Sequence, residues 1–276
     1  MRMLLTGASG FLGKKVGQLL EECGVELFHL TRRPLGTVRE ILWNFFDPLP
    51  TLPSVDGLVH MAASVDYSDT VQDLVLCNTI PAVRLAEWAA LNSIPVFHTS
   101  TASVHGKKLP WGVSSGLAPT GRYEKSKLLS EEAFRIICPN YCIFRLHGIY
   151  GHTGPSHLGL NIAIREAFLH GKNPILRGNG LALRNYICVD DAAAWIVAET
   201  CAPHENRRTV YVAGSEIMPI QQWLQTIVDT LLPGGKIEKF SGEGGEDIIV
   251  ESSPPPIQLQ SFREYLQRLK GCYRSP

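Results

Sequence analysis

Two short patterns in this chain could together carry out redox chemistry. Tyr123-Glu124-Lys125-Ser126-Lys127 sets a phenol and an ammonium four residues apart, a spacing that puts both on one face of a helix. A phenol with a pKa of about 10 is a poor base at neutral pH, but a nearby ammonium stabilises the phenolate and lowers that value. The pair is suited to exchanging a proton with an alcohol or carbonyl. The second pattern, Thr6-Gly7-Ala8-Ser9-Gly10-Phe11-Leu12-Gly13, follows an apolar run and spaces three glycines at intervals of three. Glycine permits a tight turn and lets backbone approach a pyrophosphate, while a helix opening at Phe11 offers free N–H groups and partial positive charge. Gly7, Ser9, Gly10, Phe11, Leu12 and Gly13 are the expected diphosphate cradle of a dinucleotide.

Where the second strand should end stand Arg32 and Arg33, in place of the acidic residue that holds the ribose hydroxyls of NAD. A guanidinium there can pair with a 2′-phosphate, so NADP is favoured over NAD; the alternative is two solvated surface arginines. Asp47, after the third strand, is positioned to accept from the adenine amino group.

These groups need strands that end together and helices that start there. Apolar runs predict strands at Met1–Thr6, Val25–Leu30, Ile41–Phe45, Gly57–Met61, Pro95–Ser100 and Cys142–Leu146. Between them Phe11–Cys23, Thr70–Leu91 and Arg122–Ile137 carry apolar residues at three- and four-residue spacing, as helices lying on a sheet do. The fold expected is α/β: a Rossmann doubly wound parallel sheet flanked by helices over residues 1–150. Residues 151–276 are expected to form a small α/β substrate-binding lobe, interleaved with the main domain and partly returning to the sheet. There the Gly/Pro/His stretch His152–Gly159 precedes helices at Leu160–His170 and Pro219–Leu232, Ser241–Pro256 reads as a loop or mobile linker, and a helix at about Leu259–Leu269 closes the chain.

The 276 residues carry 45% hydrophobic and 19% charged side chains with zero formal net charge, a balance that gives no support for nucleic acid or an anionic membrane as partner. The seven cysteines contain no C-x-x-C pair, which argues against a disulfide framework and a zinc cluster and fits a reducing cytoplasm; no metal is expected. No run of about 18 uncharged apolar residues predicts a membrane span.

The glycine loop, Tyr123 with Lys127, and Thr101 upstream together resemble the extended branch of the short-chain dehydrogenase/reductase superfamily, the NAD(P)-dependent epimerases, dehydratases and reductases. The resemblance runs along almost the whole chain, through His60-Met61-Ala62-Ala63, Asn78-Thr79, Ser100-Thr101-Ala102-Ser103-Val104-His105-Gly106, Arg145 to Gly151, and Arg184 to Asp191. It implies that Thr101 holds the reacting oxygen, that Tyr123 transfers the proton and that Lys127 binds the nicotinamide ribose and tunes Tyr123. Met61, Ala62 and Ala63 would line the cofactor pocket, Asn78 would support the structure beside it, and Thr101, His105, His147, Gly148 and Arg184 would face substrate. His60 reads equally as a core histidine. Arg184 is the candidate for a substrate diphosphate, its alternative an ion pair with Asp190 or Asp191. A homodimer through the helices at Thr70–Leu91 and Arg122–Ile137 is usual in the family.

Departures narrow the chemistry. The 4,6-dehydratases of this branch follow the active-site Thr with an Asp-Glu pair, whereas Ala102 and Ser103 stand here, so dehydration by that route is disfavoured. Epimerases commonly have Asn three residues after the arginine of the sixth strand, and this chain has Gly148. The expected activity is hydride transfer at a carbonyl or secondary alcohol of a nucleotide sugar or similar polar substrate, as epimerase or reductase, with an NADPH reductase fitting the departures better. A non-catalytic NADP-binding redox sensor is the rival; it would need the glycine loop but not Thr101, Tyr123 and Lys127.

Overall fold

In the computed structural model, residues 1–65, 68–107, 109–202 and 207–272 are described. Strands β1 (Arg2–Thr6), β2 (Glu26–Thr31), β3 (Glu40–Leu42), β4 (Gly57–His60), β5 (Val96–Thr101) and β6 (Tyr141–Leu146) alternate with α1 (Phe11–Glu22), α2 (Val71–Leu74), α3 (Ile80–Leu91) and α4 (Arg122–Ile137). The second half contributes β7 (Ile149–Tyr150), α5 (Gly159–His170), β8 (Ile175–Arg177), β9 (Leu183–Arg184), β10 (Ile187–Cys188), α6 (Val189–Cys201), β11 (Arg208–Val212), β12 (Met218–Pro219), α7 (Ile220–Leu231), β13 (Glu238–Phe240) and α8 (Phe262–Cys272).

The main sheet has seven strands in the order β11-β6-β5-β4-β1-β2-β3, all parallel. This is the doubly wound topology, with the order reversing beside β1, where such sheets bind their ligands. Six strands were expected from the first half; the seventh, β11, comes from the second and completes the edge beside β6. Helix α6, also from the second half, packs on α1 and puts Ala192, Trp195 and Ile196 into one core with Met3, Leu5 and Val16. The division at residue 150 is therefore crossed by the main core. A separate core, built on Tyr150, Ile164, Trp223 and Phe262, holds the lobe of α5, α7 and α8.

Four other expectations are corrected or sharpened. The third strand ends at Leu42 rather than Phe45; Trp43 and Phe45 turn into the core shared with Leu85 and Ala86 instead of extending the ladder. The predicted helix Thr70–Leu91 is interrupted by a π-turn at Val75–Thr79. Of the two readings of Ser241–Pro256 the structure has the loop, held as a strap rather than a mobile linker: Asn185 Nδ2 donates to the Val250 carbonyl (2.8 Å), Val250 N–H donates to Asn185 Oδ1 (3.0 Å), and bridges join Arg184 to Ile248 and Trp111 to Val250. The last helix starts three residues later than predicted, where Ser261 and Glu264 form a reciprocal cap.

Residues Val71–Leu91 are long and apolar enough to cross a membrane by length and composition, with a mean hydropathy of 1.3. Their inner face, including Leu85, Ala86 and Ala89, is buried in the core, and α3 packs against α4.

Candidate active site

The glycine loop is shaped by close backbone contacts. Gly7 has φ +77°, and a Cβ on it would lie 2.6 Å from Ala62 N. A Cβ on Gly13 would lie 2.1 Å from the Gly7 carbonyl oxygen, so the first turn of α1 can sit on the loop only without side chains there. The cradle therefore has the form a dinucleotide diphosphate needs at a helix N-terminus. Gly13→Ala is expected to lower dinucleotide affinity at least tenfold by displacing Gly7, readable by calorimetry; unchanged affinity would mean that the loop does not hold the diphosphate.

Across the sheet, Thr6, His60 and His98 are in register on β1, β4 and β5. Thr6 Oγ1 accepts from the backbone N–H of Met61 and of Ala62, both at 3.1 Å, and lies 2.8 Å from His60 Nδ1. Its one proton therefore goes to Nδ1, and the neutral ring carries its own proton on Nε2. Burial, with Lys127 nearby, pushes the His60 pKa down to about 3, so the ring stays neutral at working pH. Its Nε2 is buried without a hydrogen-bond partner among the described residues. His98 stacks on it with ring centroids 5.1 Å apart. Of the two readings of His60, the geometry is that of a core histidine, one that also fixes the backbone of Met61 and Ala62 against the glycine loop.

Asn78 explains the π-turn. It is 1% exposed, accepts from Ser64 N–H (2.7 Å), and donates to the Ser64 carbonyl (3.0 Å) and to Ser126 Oγ (2.9 Å). Ser126 Oγ in turn donates to the Tyr123 carbonyl at 2.7 Å. One buried amide thus ties the segment after β4 to the first turn of α4, and hence to the Tyr-Lys face.

Lys127 is 2% exposed. Burial drags its pKa down to about 8, against the pull of Glu131 one turn along α4. Helix α4 packs along β5 and the 3₁₀ turn Ala102–His105 that follows it. Thr101, at the end of β5, caps that turn: its Oγ1 accepts from Ser103 N–H (3.2 Å) and donates to Ser103 Oγ (3.0 Å). Thr101 thus ends the strand along which the helix carrying Tyr123 and Lys127 packs. Ala102 is fully buried, and neither it nor Ser103 offers a carboxylate.

The residues assigned to substrate separate into two environments. His105 is fully buried; its Nδ1–H donates to the Gly116 carbonyl (3.2 Å), which leaves Nε2 to accept from Tyr211 Oη at 2.9 Å. Both ring nitrogens are thus used inside the protein, and His105 holds structure rather than presenting a polar atom to substrate. Gly148 has φ +57°, and a Cβ on it would lie 2.3 Å from the Tyr186 ring, so an asparagine there would have to displace that ring. His147, edge-on to Trp111 at 5.1 Å, has a buried Nε2 without a partner among the described residues; burial and the nearby Arg184 push its pKa down to about 4. Arg184 does not pair with Asp190 or Asp191, the alternative raised from the sequence. Its Nη1 donates to the carbonyls of Leu183 and Glu246, both at 2.7 Å, under the strap, while Asp190 pairs with Lys15 and Arg268 and Asp191 accepts from Gln260.

At the adenosine end, the Arg32 guanidinium lies 5.3 Å from the centroid of Phe45. Arg33 is exposed beside it. Asp47 is exposed beyond Phe45, with its carbonyl accepting from Trp43 Nε1 (3.1 Å) and from Arg84. The residue nearest the end of β3 with a polar side chain is Asn44, which sequence reasoning missed because it placed the strand end three residues too late.

The family model of the NAD dependent epimerase/dehydratase family matches residues 3–214. The chain is 30% identical over 172 residues to the spore coat polysaccharide biosynthesis protein SpsK of Bacillus subtilis, a match that takes in 60% of this chain and 59% of that protein. It is 27% identical over 198 residues to the UDP-2-acetamido-2,6-beta-L-arabino-hexul-4-ose reductase of Pseudomonas aeruginosa, covering 69% of this chain and 47% of that one. Its fold is shared with the solved UDP-glucuronic acid 4-epimerase of Bacillus cereus in complex with NAD, at a TM-score of 0.80 and 19% identity over 99% of this chain and all of the other. With the glycine cradle and the Tyr-Lys helix at the C-terminal edge of its seven-stranded sheet, the chain belongs to the NAD dependent epimerase/dehydratase family.

Proposed function

We propose that this protein is a nucleotide-sugar oxidoreductase that works as an NADPH-dependent reductase, with Tyr123 as its proton donor. The observation that carries the reading is Lys127, an ammonium 2% exposed on the same helix face as Tyr123 and held there by a helix pinned through Asn78. A cation has no packing reason to occupy such a place, and its field favours a phenolate at Tyr123. When bound, the dinucleotide supplies hydride. Thr101 orients the carbonyl oxygen, Tyr123 gives that oxygen its proton, and Lys127 holds the resulting charge on Tyr123 until solvent reprotonates it. Arg184, at the lobe edge, takes the substrate diphosphate, and the Tyr186 ring fills the space that an asparagine contact would occupy in an epimerase.

A nucleotide-sugar reductase is among the similar proteins, and Ala102 and Ser103 offer no carboxylate where the 4,6-dehydratases carry their acid-base pair, which speaks against dehydration. We further propose that the enzyme is cytoplasmic and dimerises through α3 and α4, where Leu129 and Ile136 are exposed apolar residues. The direct test is to incubate the protein with NADPH and a panel of UDP- and dTDP-4-keto sugars, following 340 nm absorbance and the product by NMR. Stoichiometric NADPH oxidation with a reduced sugar is expected. Interconversion of UDP-sugars without net oxidation would replace reduction with epimerisation, and no turnover on any substrate despite tight binding would favour a sensor.

Cofactor choice has its own test. Arg32, over the Phe45 ring and exposed, would take a 2′-phosphate through its guanidinium. In calorimetric titrations NADPH is expected to bind more tightly than NADH, and the Arg32→Ala, Arg33→Ala double variant should lose about 1–3 kcal/mol for NADPH alone, the range of a lost charge-assisted contact. Equal binding of the two cofactors by the unmodified protein would make both arginines surface residues and return the preference to NAD.

A further inference from the structure

Beside the glycine loop, and away from the Tyr-Lys face, α1, α5, α6 and α8 enclose a cavity of about 510 Å3. Of the residues assigned to the dinucleotide, it touches only Phe11. We propose that this cavity is a second ligand site, and that it takes a small aromatic anion: a planar ring bearing a carboxylate, sulfonate or phosphate.

The volume falls within the roughly 300–1,000 Å3 of small-molecule sites, and the lining has their usual composition, an apolar body with a few polar groups. Phe11, Phe168, Val189, Tyr265 and Leu269 supply the walls. Lys14, Lys15 and Arg268 supply three cations against one carboxylate, Asp190. Asp190 is shared by Lys15 (3.0 Å) and Arg268, and Lys14, exposed on α1, has no ion pair among the described residues. The lining therefore carries an excess of two positive charges beside aromatic faces, which complements an anion on a ring and disfavours a cation.

His152 adds a polar ring to the lining. Its backbone N–H donates to Tyr265 Oη (2.9 Å), and the same oxygen lies 3.4 Å from His152 Nδ1. Backbone and ring of His152 thus both lie against the Tyr265 hydroxyl, which anchors the imidazole in the lining. Burial lowers the His152 pKa despite Asp190, which keeps that ring neutral and leaves the charge balance as counted.

The site also touches the first turn of α1. A Cβ on Gly151 would lie 2.8 Å from Phe11 Cζ and 3.1 Å from Val189 Cγ1, so the Phe11 ring is wedged between the chain after β7 and the start of α6. A ligand pressed on that ring acts on the backbone that cradles the diphosphate, and any coupling between the two sites is reciprocal.

The test is a fluorescence titration with 8-anilinonaphthalene-1-sulfonate on the whole chain, with NADP, NAD and UDP each present at saturation to fill the cleft at the sheet edge. One equivalent of probe is expected to bind under all three conditions. Lys14→Glu should weaken it tenfold or more, and Thr153→Trp, which fills the mouth from an exposed position, should abolish it; both variants should melt at the temperature of the unmodified protein. Competitive displacement of the probe by dinucleotide or UDP, with an apparent Kd that rises without limit as their concentration rises, or binding indifferent to both variants, would overturn the proposal.

Discussion

Tyr123→Phe is expected to lower kcat by about 10²–10⁴-fold, the usual yield of a positioned acid-base group, while dinucleotide affinity stays within twofold. The asymmetry follows from the site. The proposed diphosphate cradle is backbone, formed by Gly7, Gly10 and Gly13 against Ala62, and none of it depends on the phenol. The first turn of α4 is also held without the hydroxyl, because Ser126 bonds to the Tyr123 carbonyl rather than to its side chain. Single-turnover reduction by stopped flow, paired with calorimetry of cofactor binding, separates the two effects. A variant that retains more than a tenth of the rate would remove Tyr123 from the chemistry and leave the family resemblance as a matter of fold.

The same face sets the pH dependence. Lys127 has its pKa near 8 in the fold, with burial as the main cause, against about 10.4 for a free lysine. The ammonium is therefore present below pH 8 and lost above it. The kcat/KM for reduction is expected to fall with a limb near pH 8 in the free enzyme, and Lys127→Arg should move that limb upward because a guanidinium keeps its proton. For stability the sign is opposite to that of a paired lysine. Between about pH 8 and 10 the unfolded chain binds the extra proton, so stability rises with pH across that window. An alkaline limb that does not move in Lys127→Arg would assign it to another group.

Why the first half of the chain can be read from sequence while parts of the second cannot has a physical basis. Gly7 to Gly13 and Tyr123 to Lys127 sit at junctions between a strand and a helix, where local geometry dictates residue type. By contrast α6 has buried residues on most of its faces, from Asp191 and Ala192 through Trp195 to Thr200, because it packs against α1 and the main sheet while Asp191 holds Gln260 ahead of α8. A helix buried all round shows no apolar stripe to recognise. The strap at 241–256 has the composition of a mobile linker, yet its order comes from Asn185, 65 positions earlier in the chain. The π-turn at Asn78 likewise exists for bonds to Ser64 and Ser126 that no local pattern announces. Asn185 stands inside the Arg184–Asp191 motif, so the motif was visible while this clamping role was not. The Ser261–Glu264 cap was within reach of the sequence, as Ser-Phe-Arg-Glu has the spacing of a capping box.

Glu131→Gln is expected to destabilise the protein by about 3–5 kcal/mol, the cost of leaving one member of a buried pair uncompensated. Glu131 is fully buried and Arg145 is 4% exposed; they meet through two bonds, Nε to Oε1 at 3.1 Å and Nη2 to Oε2 at 2.7 Å. Arg145 Nη1 also donates to Tyr211 Oη (2.6 Å), which supplies His105, so the pair links α4, β6, β11 and the turn after β5. The amide keeps the shape and loses the charge, leaving the Arg145 guanidinium in the core with neutral acceptors only. Replacing both members, Glu131→Gln with Arg145→Met, should recover most of the loss, since an apolar substitute needs no partner; urea unfolding of the three variants closes the cycle. A single variant within 1 kcal/mol of the parent would show that the pair adds little. Glu131 also raises the Lys127 pKa from one turn away, so the same substitution should move the alkaline limb of kcat/KM below pH 8. A cavity or a local packing defect at position 131 could reproduce the stability loss but not that shift, which makes the limb the reading that ties the buried pair to the chemistry on its helix.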